Sequence, residues 1–151
     1  MANICNNFCS TTGTEENLDA LYRQLLIWGE DQNIGHRPDV DNDIPMWLFD
    51  IEFIGLNCKD GFNFDSKWTT PKKELAFLAE LFHVDIEVDF EELSMNIYGR
   101  ALYSHVPGRS FSIELEDSDF NYDGDVYRME NETEHYENKL DNLIWEYKNN
   151  N

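Results

Sequence analysis

The sequence predicts an α+β fold: a strand-helix-strand-strand-helix-strand core, then an antiparallel hairpin and a C-terminal helix. Three observations carry that expectation. Apolar residues recur at helical spacing in three stretches, around residues 18–28, 75–82 and 136–147. Short segments bounded by Gly and Pro lie between them, and one, Val84-Asp85-Ile86-Glu87-Val88-Asp89-Phe90, alternates apolar and acidic residues strictly. The 151 residues are 41% hydrophobic and 14% aromatic, enough for one domain with a real core and too apolar for a disordered acidic tail.

Each element has its own reason. Ile4 to Thr11 reads as a strand closed at Gly13, with Ile4 and Phe8 set among small and polar residues. Thr14 is placed to cap a helix whose first turn holds Glu15 and Glu16, which complement the helix dipole. Leu18, Leu21, Tyr22, Leu25, Leu26 and Trp28 form its apolar stripe, and Gly29 is the expected stop. Residues 30–46 carry Gly35, Pro38 and Pro45 among five acids, an irregular loop. Trp47 to Ile54 and Gly61 to Trp68 read as two strands about a turn at Leu56 to Asp60. Pro71 opens a second helix bearing Leu75, Phe77, Leu78, Leu81 and Phe82. In the alternating strand one face is buried, while Asp85, Glu87, Asp89 and Glu91 line the other at intervals of roughly 7 Å, twice the strand rise. Asn96 to Ser104 and Ser110 to Glu116 form the hairpin around Pro107-Gly108, and Glu132 to Lys148 forms the last helix. The whole chain, 1–151, reads as a single domain, with a core at 1–105 and an acidic extension at 106–151.

Met1-Ala2-Asn3-Ile4-Cys5-Asn6-Asn7 resembles the start of plasmid and phage ferredoxin-like proteins of the YubB type. Phe64-Asp65-Ser66-Lys67-Trp68-Thr69-Thr70-Pro71 resembles their Ser-x-Trp-x-Pro signature, with one extra residue before the proline. Phe90-Glu91-Glu92 stands where that family has Tyr-x-Glu, and Ile97-Tyr98-Gly99 stands at its Gly-containing strand. The resemblance implies a ferredoxin-like βαββαβ core and a mobile-element origin. It implies no activity, because the family has no settled one.

Charge is the strongest functional signal. The formal net charge is −20, from 31 Asp and Glu against 11 Lys and Arg. Twelve of those acids and three of those bases lie in residues 111–151. Such self-repulsion opposes compaction, so the acid is expected to face something cationic. Direct binding to nucleic acid or to an anionic membrane is excluded by sign. The first expectation is therefore a non-enzymatic binding protein of a phage or plasmid that engages a basic surface on a host protein. It would act as a nucleic-acid mimic, of anti-CRISPR or anti-restriction type, since Arg forks pair with carboxylate as with phosphate. The expected contacts are Asp85, Glu87, Asp89, Glu114, Glu116, Asp117 and Asp119. The competing account is that acidity serves solubility alone.

The sharpest chemical motif is Asp119-Phe120-Asn121-Tyr122-Asp123-Gly124-Asp125-Val126-Tyr127-Arg128-Met129-Glu130, which fits the EF-hand loop pattern at each specified position. It would offer Ca²⁺ oxygens from Asp119, Asn121, Asp123 and Glu130. The segment before it reads as a strand, though an EF-hand needs a helix there, so an acidic turn is the alternative. No other cofactor is expected. Cys5 and Cys9 stand about 13 Å apart on a strand, too far for one zinc, and read as small buried residues. His36, His83, His105 and His135 are scattered, and no nucleophile elbow or phosphate loop appears, so no enzyme is expected. Three cysteines, no run of about eighteen apolar residues and no leader-like start predict a soluble cytoplasmic chain.

Overall fold

The computed structural model describes residues 4–31, 48–67, 69–120 and 128–150, with side chains at 28–31, 49, 117–118 and 128–133 excepted. The predicted loop at 30–46, Trp47 and Trp68 therefore fall largely or wholly outside the described residues. Among the described residues the strands and α-helices are, in chain order, β1 (Ile4–Thr12), α1 (Glu15–Asp31), β2 (Phe49–Ile54), β3 (Gly61–Lys67), α2 (Lys72–Phe82), β4 (Asp85–Glu92), β5 (Ile97–Tyr103), β6 (Phe111–Glu114) and α3 (Arg128–Asn150). They form a six-stranded sheet in the order β2-β3-β1-β4-β5-β6 with every neighbouring pair antiparallel. The first four strands have the split βαβ arrangement of ferredoxin-like folds, and β5 and β6 widen it beyond β4.

Local chemistry sets the boundaries. Thr14 Oγ1 accepts the Asn17 N–H at 3.2 Å, the expected cap of α1. The helix runs to Asp31 rather than stopping at Gly29, since glycine inside a helix costs only about 1 kcal/mol and forces no stop. Pro71 precedes α2 as its N-cap rather than lying inside its first turn, and His83 ends it in the left-handed region at φ 53°. α3 begins one turn earlier than its apolar spacing indicated. Gly61 joins the β2–β3 turn at φ +141°, where a Cβ would come within 2.0 Å of the Cys9 carbonyl oxygen, so only glycine fits.

α1 and α2 cover one face of the sheet. Leu18, Leu21 and Leu25 of α1 and Leu75, Leu78 and Ala79 of α2 bury against Phe62, Phe64, Ile86, Val88 and Phe90. From β1 the inward residues are Cys5, Asn7, Cys9 and Thr11, while Ile4 and Phe8 turn to the other face, 44% and 46% exposed. On that second face α3 packs over β5 and β6. Tyr136, Leu140 and Ile144 pack there with Leu115, Phe120, Tyr98 and Ile113 as a separate small core. Among the described residues no helix covers β2, β3, β1 and β4 on that second face, and the 104–109 segment closes only its Asp85 end.

Candidate functional site

Sheet register brings acids from four elements onto this bare face. Residues paired across neighbouring strands point the same way, so three cross-strand rows can be read directly. The first runs Asp65–Asn6–Glu91–Tyr98, the second Glu52–Asn63–Phe8–Asp89–Arg100, and the third Ser10–Glu87–Leu102. Two shallow cavities meet at Phe8. One, about 540 Å³, is lined by Asn6, Asp50, Glu52, Asn63 and Asp65. The other, about 320 Å³, is lined by Asp89, Glu91, Tyr98, Arg100 and, from α3, Glu137.

Burial, before the neighbouring acids, shifts these groups. Burial, then Asp50 and Glu52, raise the Asp65 carboxyl above its ordinary value, and burial raises that of Glu91. The Tyr98 phenol is pushed up to about 12 by burial and by Glu137, Glu91 and Asp89, with Arg100 pulling the other way. Arg100 is a cation set among them, and Lys67, paired with Ile4, is another on the same face. Its guanidinium donates to Asp89 of β4 and, at 3.4 Å, to Asp141 of α3, joining the sheet to the helix that walls the face.

The acids singled out in the sequence do not share one surface. Glu87 and Asp89 are exposed on the bare face, as the alternation of β4 indicated. Asp85 points the same way but is only 7% exposed, because the 104–109 segment folds over it. Ser104 Oγ donates to it at 2.6 Å, and His105 Nδ1 and Arg109 Nη1 stand 3.4 and 3.3 Å away. Asp85 is thus paired internally rather than presented to a partner. Glu114 lies on the opposite, helix-covered side, 4.0 Å from Lys72 Nζ. Glu116 is exposed at the end of β6, and the side chain of Asp117 lies outside the described residues.

Asn121 and Asp123 of the calcium-like loop also lie outside the described residues, as does the side chain of Glu130, whose backbone belongs to α3. Asp119 is described, and it is engaged. Its Oδ2 accepts the Glu116 N–H at 2.9 Å and its Oδ1 accepts Lys139 Nζ at 3.3 Å. Strand β6 and a single turn precede the loop, not a helix. Among the described residues no group of three or more His, Cys, Asp or Glu is placed to hold a metal ion. The three cysteines are free and buried, and burial raises their thiols, to about 12 at Cys5 and about 11 at Cys58, which holds them neutral and unreactive.

Glu52, Asp65, Glu91, Glu137 and Phe8 belong to the face without having been singled out as contacts. The alternation of β3, with Phe62 and Phe64 inward and Asn63 and Asp65 outward, held part of that signal.

Residues 51–139, well over half the chain, match the family model of the ferredoxin-like domain in Api92-like protein. The chain belongs to this family. No curated protein and no solved structure matches it. The Api92-like match opens in β2 and closes inside α3, so it includes the acids of β4 and the wall made by α3, while β1 with Phe8 precedes it. It also runs across the point where the sequence divides core from extension, and α3 is packed on the sheet. Among the described residues no helix is long and apolar enough to cross a membrane.

Proposed function

We propose that this is a non-enzymatic binding protein that docks a basic surface of a partner protein through the bare, acid-lined face of its sheet. The observation that supports this most is the convergence of Glu52, Asp65, Glu87, Asp89, Glu91 and Glu137, from β2, β3, β4 and α3, around exposed Phe8. In this reading the protein is of plasmid or phage origin, related to the YubB type, and works in the cytoplasm of the host. Its partner is a nucleic-acid-handling defence complex whose basic site it occupies in place of nucleic acid. Association is then fast and strongly weakened by salt.

The test separates a face from a mere total of charge. The double variants Glu52→Lys/Glu87→Lys and Glu16→Lys/Glu80→Lys change net charge equally, the first on the bare face and the second on the helix side. Both are used to capture partners from bacterial lysate at low salt. Loss of a specific partner by the first variant alone is expected. Equal loss by both, or by neither, would overturn the assignment of the face.

A further inference from the structure

We infer that the bare face is a berth for one basic amphipathic α-helix of the partner. The inference rests on the docking reading above and names what fills the face. The first argument is size. Strands stand about 4.8 Å apart, so β2 to β4 across β3 and β1 span about 14 Å between outer axes. An α-helix with its side chains is about 10–12 Å across, so one helix fits beside α3. α3 itself shows how a helix beds on this side of the sheet, with Tyr136 against Tyr98 at 5.9 Å between ring centres.

The second argument is the pattern of the floor. Ile4 and Phe8 project along the central strand β1, exposed by 44% and 46%. On one side stand Glu52 and Asp65, with Lys67 beside Ile4, and on the other Glu87, Asp89 and Glu137. Two exposed apolar side chains, with Asn6 between them and mainly acidic flanks on either side, complement a helix with apolar residues between two basic flanks. The wall adds a third feature. Glu137, Asp141 and Trp145 follow one another at i, i+4 and i+8 on α3, so they form one stripe. Glu137 lines the cavity with Phe8, Asp141 reaches Arg100, and Trp145 continues the stripe with 66% of its surface exposed. An indole so placed offers its ring to an incoming Lys or Arg.

Other occupants fit less well. A second copy of this chain brings −20 of like charge, and nucleic acid or an anionic lipid surface meets the same repulsion. The span of about 14 Å is close to the width of a DNA major groove, about 12 Å, which also admits one helix between anionic walls. A helix that reads DNA is therefore the kind of segment it would capture.

The test uses two labelled peptides of about 18 residues, long enough for helix formation. One has a Leu stripe flanked by Lys and Arg, and the other is the same composition scrambled so that the helical period is broken. Anisotropy titrations at about 0.15 M salt are expected to show the periodic peptide binding at least about tenfold tighter. Phe8→Ser, checked for folding by circular dichroism, is expected to reduce that preference to within about twofold. Equal binding of both peptides, or a preference that survives Phe8→Ser, overturns the helix berth while leaving the acidic docking face standing. Binding of neither peptide overturns both.

Discussion

At the scale of single residues, the acids fall into those that hold the fold and those that face outward, and Asp85 and Glu87 mark the division two positions apart on β4. Asp85 is buried with Ser104, His105 and Arg109 around it, so Asp85→Ala leaves the Ser104 hydroxyl and the Arg109 guanidinium without their acceptor. The loss is expected to be about 2 kcal/mol of stability with partner affinity kept. Glu87→Ala, at an exposed site, should leave the melting temperature within a degree or two and weaken partner binding. Thermal melts and affinity titrations of the two variants check this together, and a swap of the two outcomes would refute the division. Local alternation shows which way both side chains point. It does not show that a segment about twenty residues further on closes over one of them.

Glu74 supplies the pH-sensitive case at this scale. It is 3% exposed in the first turn of α2, and burial raises its carboxyl above the ordinary value. The folded protein thus holds that proton more tightly than the unfolded chain. The buried carboxylate costs nothing below the unfolded value and its full amount above the raised one. At neutral pH the native state carries the cost, so Glu74→Gln should melt a few degrees higher at pH 7.5 and converge with the parent near pH 4. A variant that melts lower at pH 7.5 would show instead that the carboxylate makes a stabilising native contact.

Among the elements, α3 is held by its own small core, separate from the one beneath α1 and α2. Truncating its fully buried Leu140 to Ala should cost about 3 kcal/mol. Because the two cores are separate, the effect should be local. Hydrogen exchange is expected to lose protection in α3 and β6 while β1, β3 and β4 keep theirs, and uniform loss would mean that the cores unfold as one. The element order was legible because the period of apolar residues switches between two and 3.6 along the chain. The inward face of β1 was not. Its large residues, Ile4 and Phe8, lie outward, and its inward ones are small or polar because Phe62, Phe64, Val88 and Phe90 of the flanking strands already fill the space. Asn7 is accommodated there by donating to the carbonyls of Cys5 and Phe64 and to Ser66 Oγ. Nor could the spacing of α3 show which face of the sheet it covers, and that choice decides where the acidic face lies open.

For the whole molecule, the same charge must act on folding and on binding with opposite signs. A net −20 repels itself in the compact state, so added salt, which screens exposed charge over about 10 Å at 0.1 M, should stabilise the fold while weakening a basic partner's grip. Acidification should act on folding in the same sense as salt. Burial raises the carboxyls of Asp65, Glu74 and Glu91, with Asp50 and Glu52 adding to the first, so each takes up its proton in the folded state before the unfolded chain does. Wherever the native state binds more protons, stability rises as pH falls, and it stops rising once the unfolded carboxyls also protonate. Stability should therefore climb as pH falls through the raised folded values toward the ordinary carboxyl values of 3.8 and 4.5, opposing the usual loss of carboxylate ion pairs. Melting curves at pH 7.5, 6 and 5 in low and in high salt test both halves of the argument. The climb should be steep in low salt and shallow in high salt, because screening removes the part due to self-repulsion and leaves the part due to burial. A melting temperature that falls with pH in both would mean that favourable carboxylate contacts outweigh the repelling acids. In that case the acidic coat would be part of what holds the molecule together.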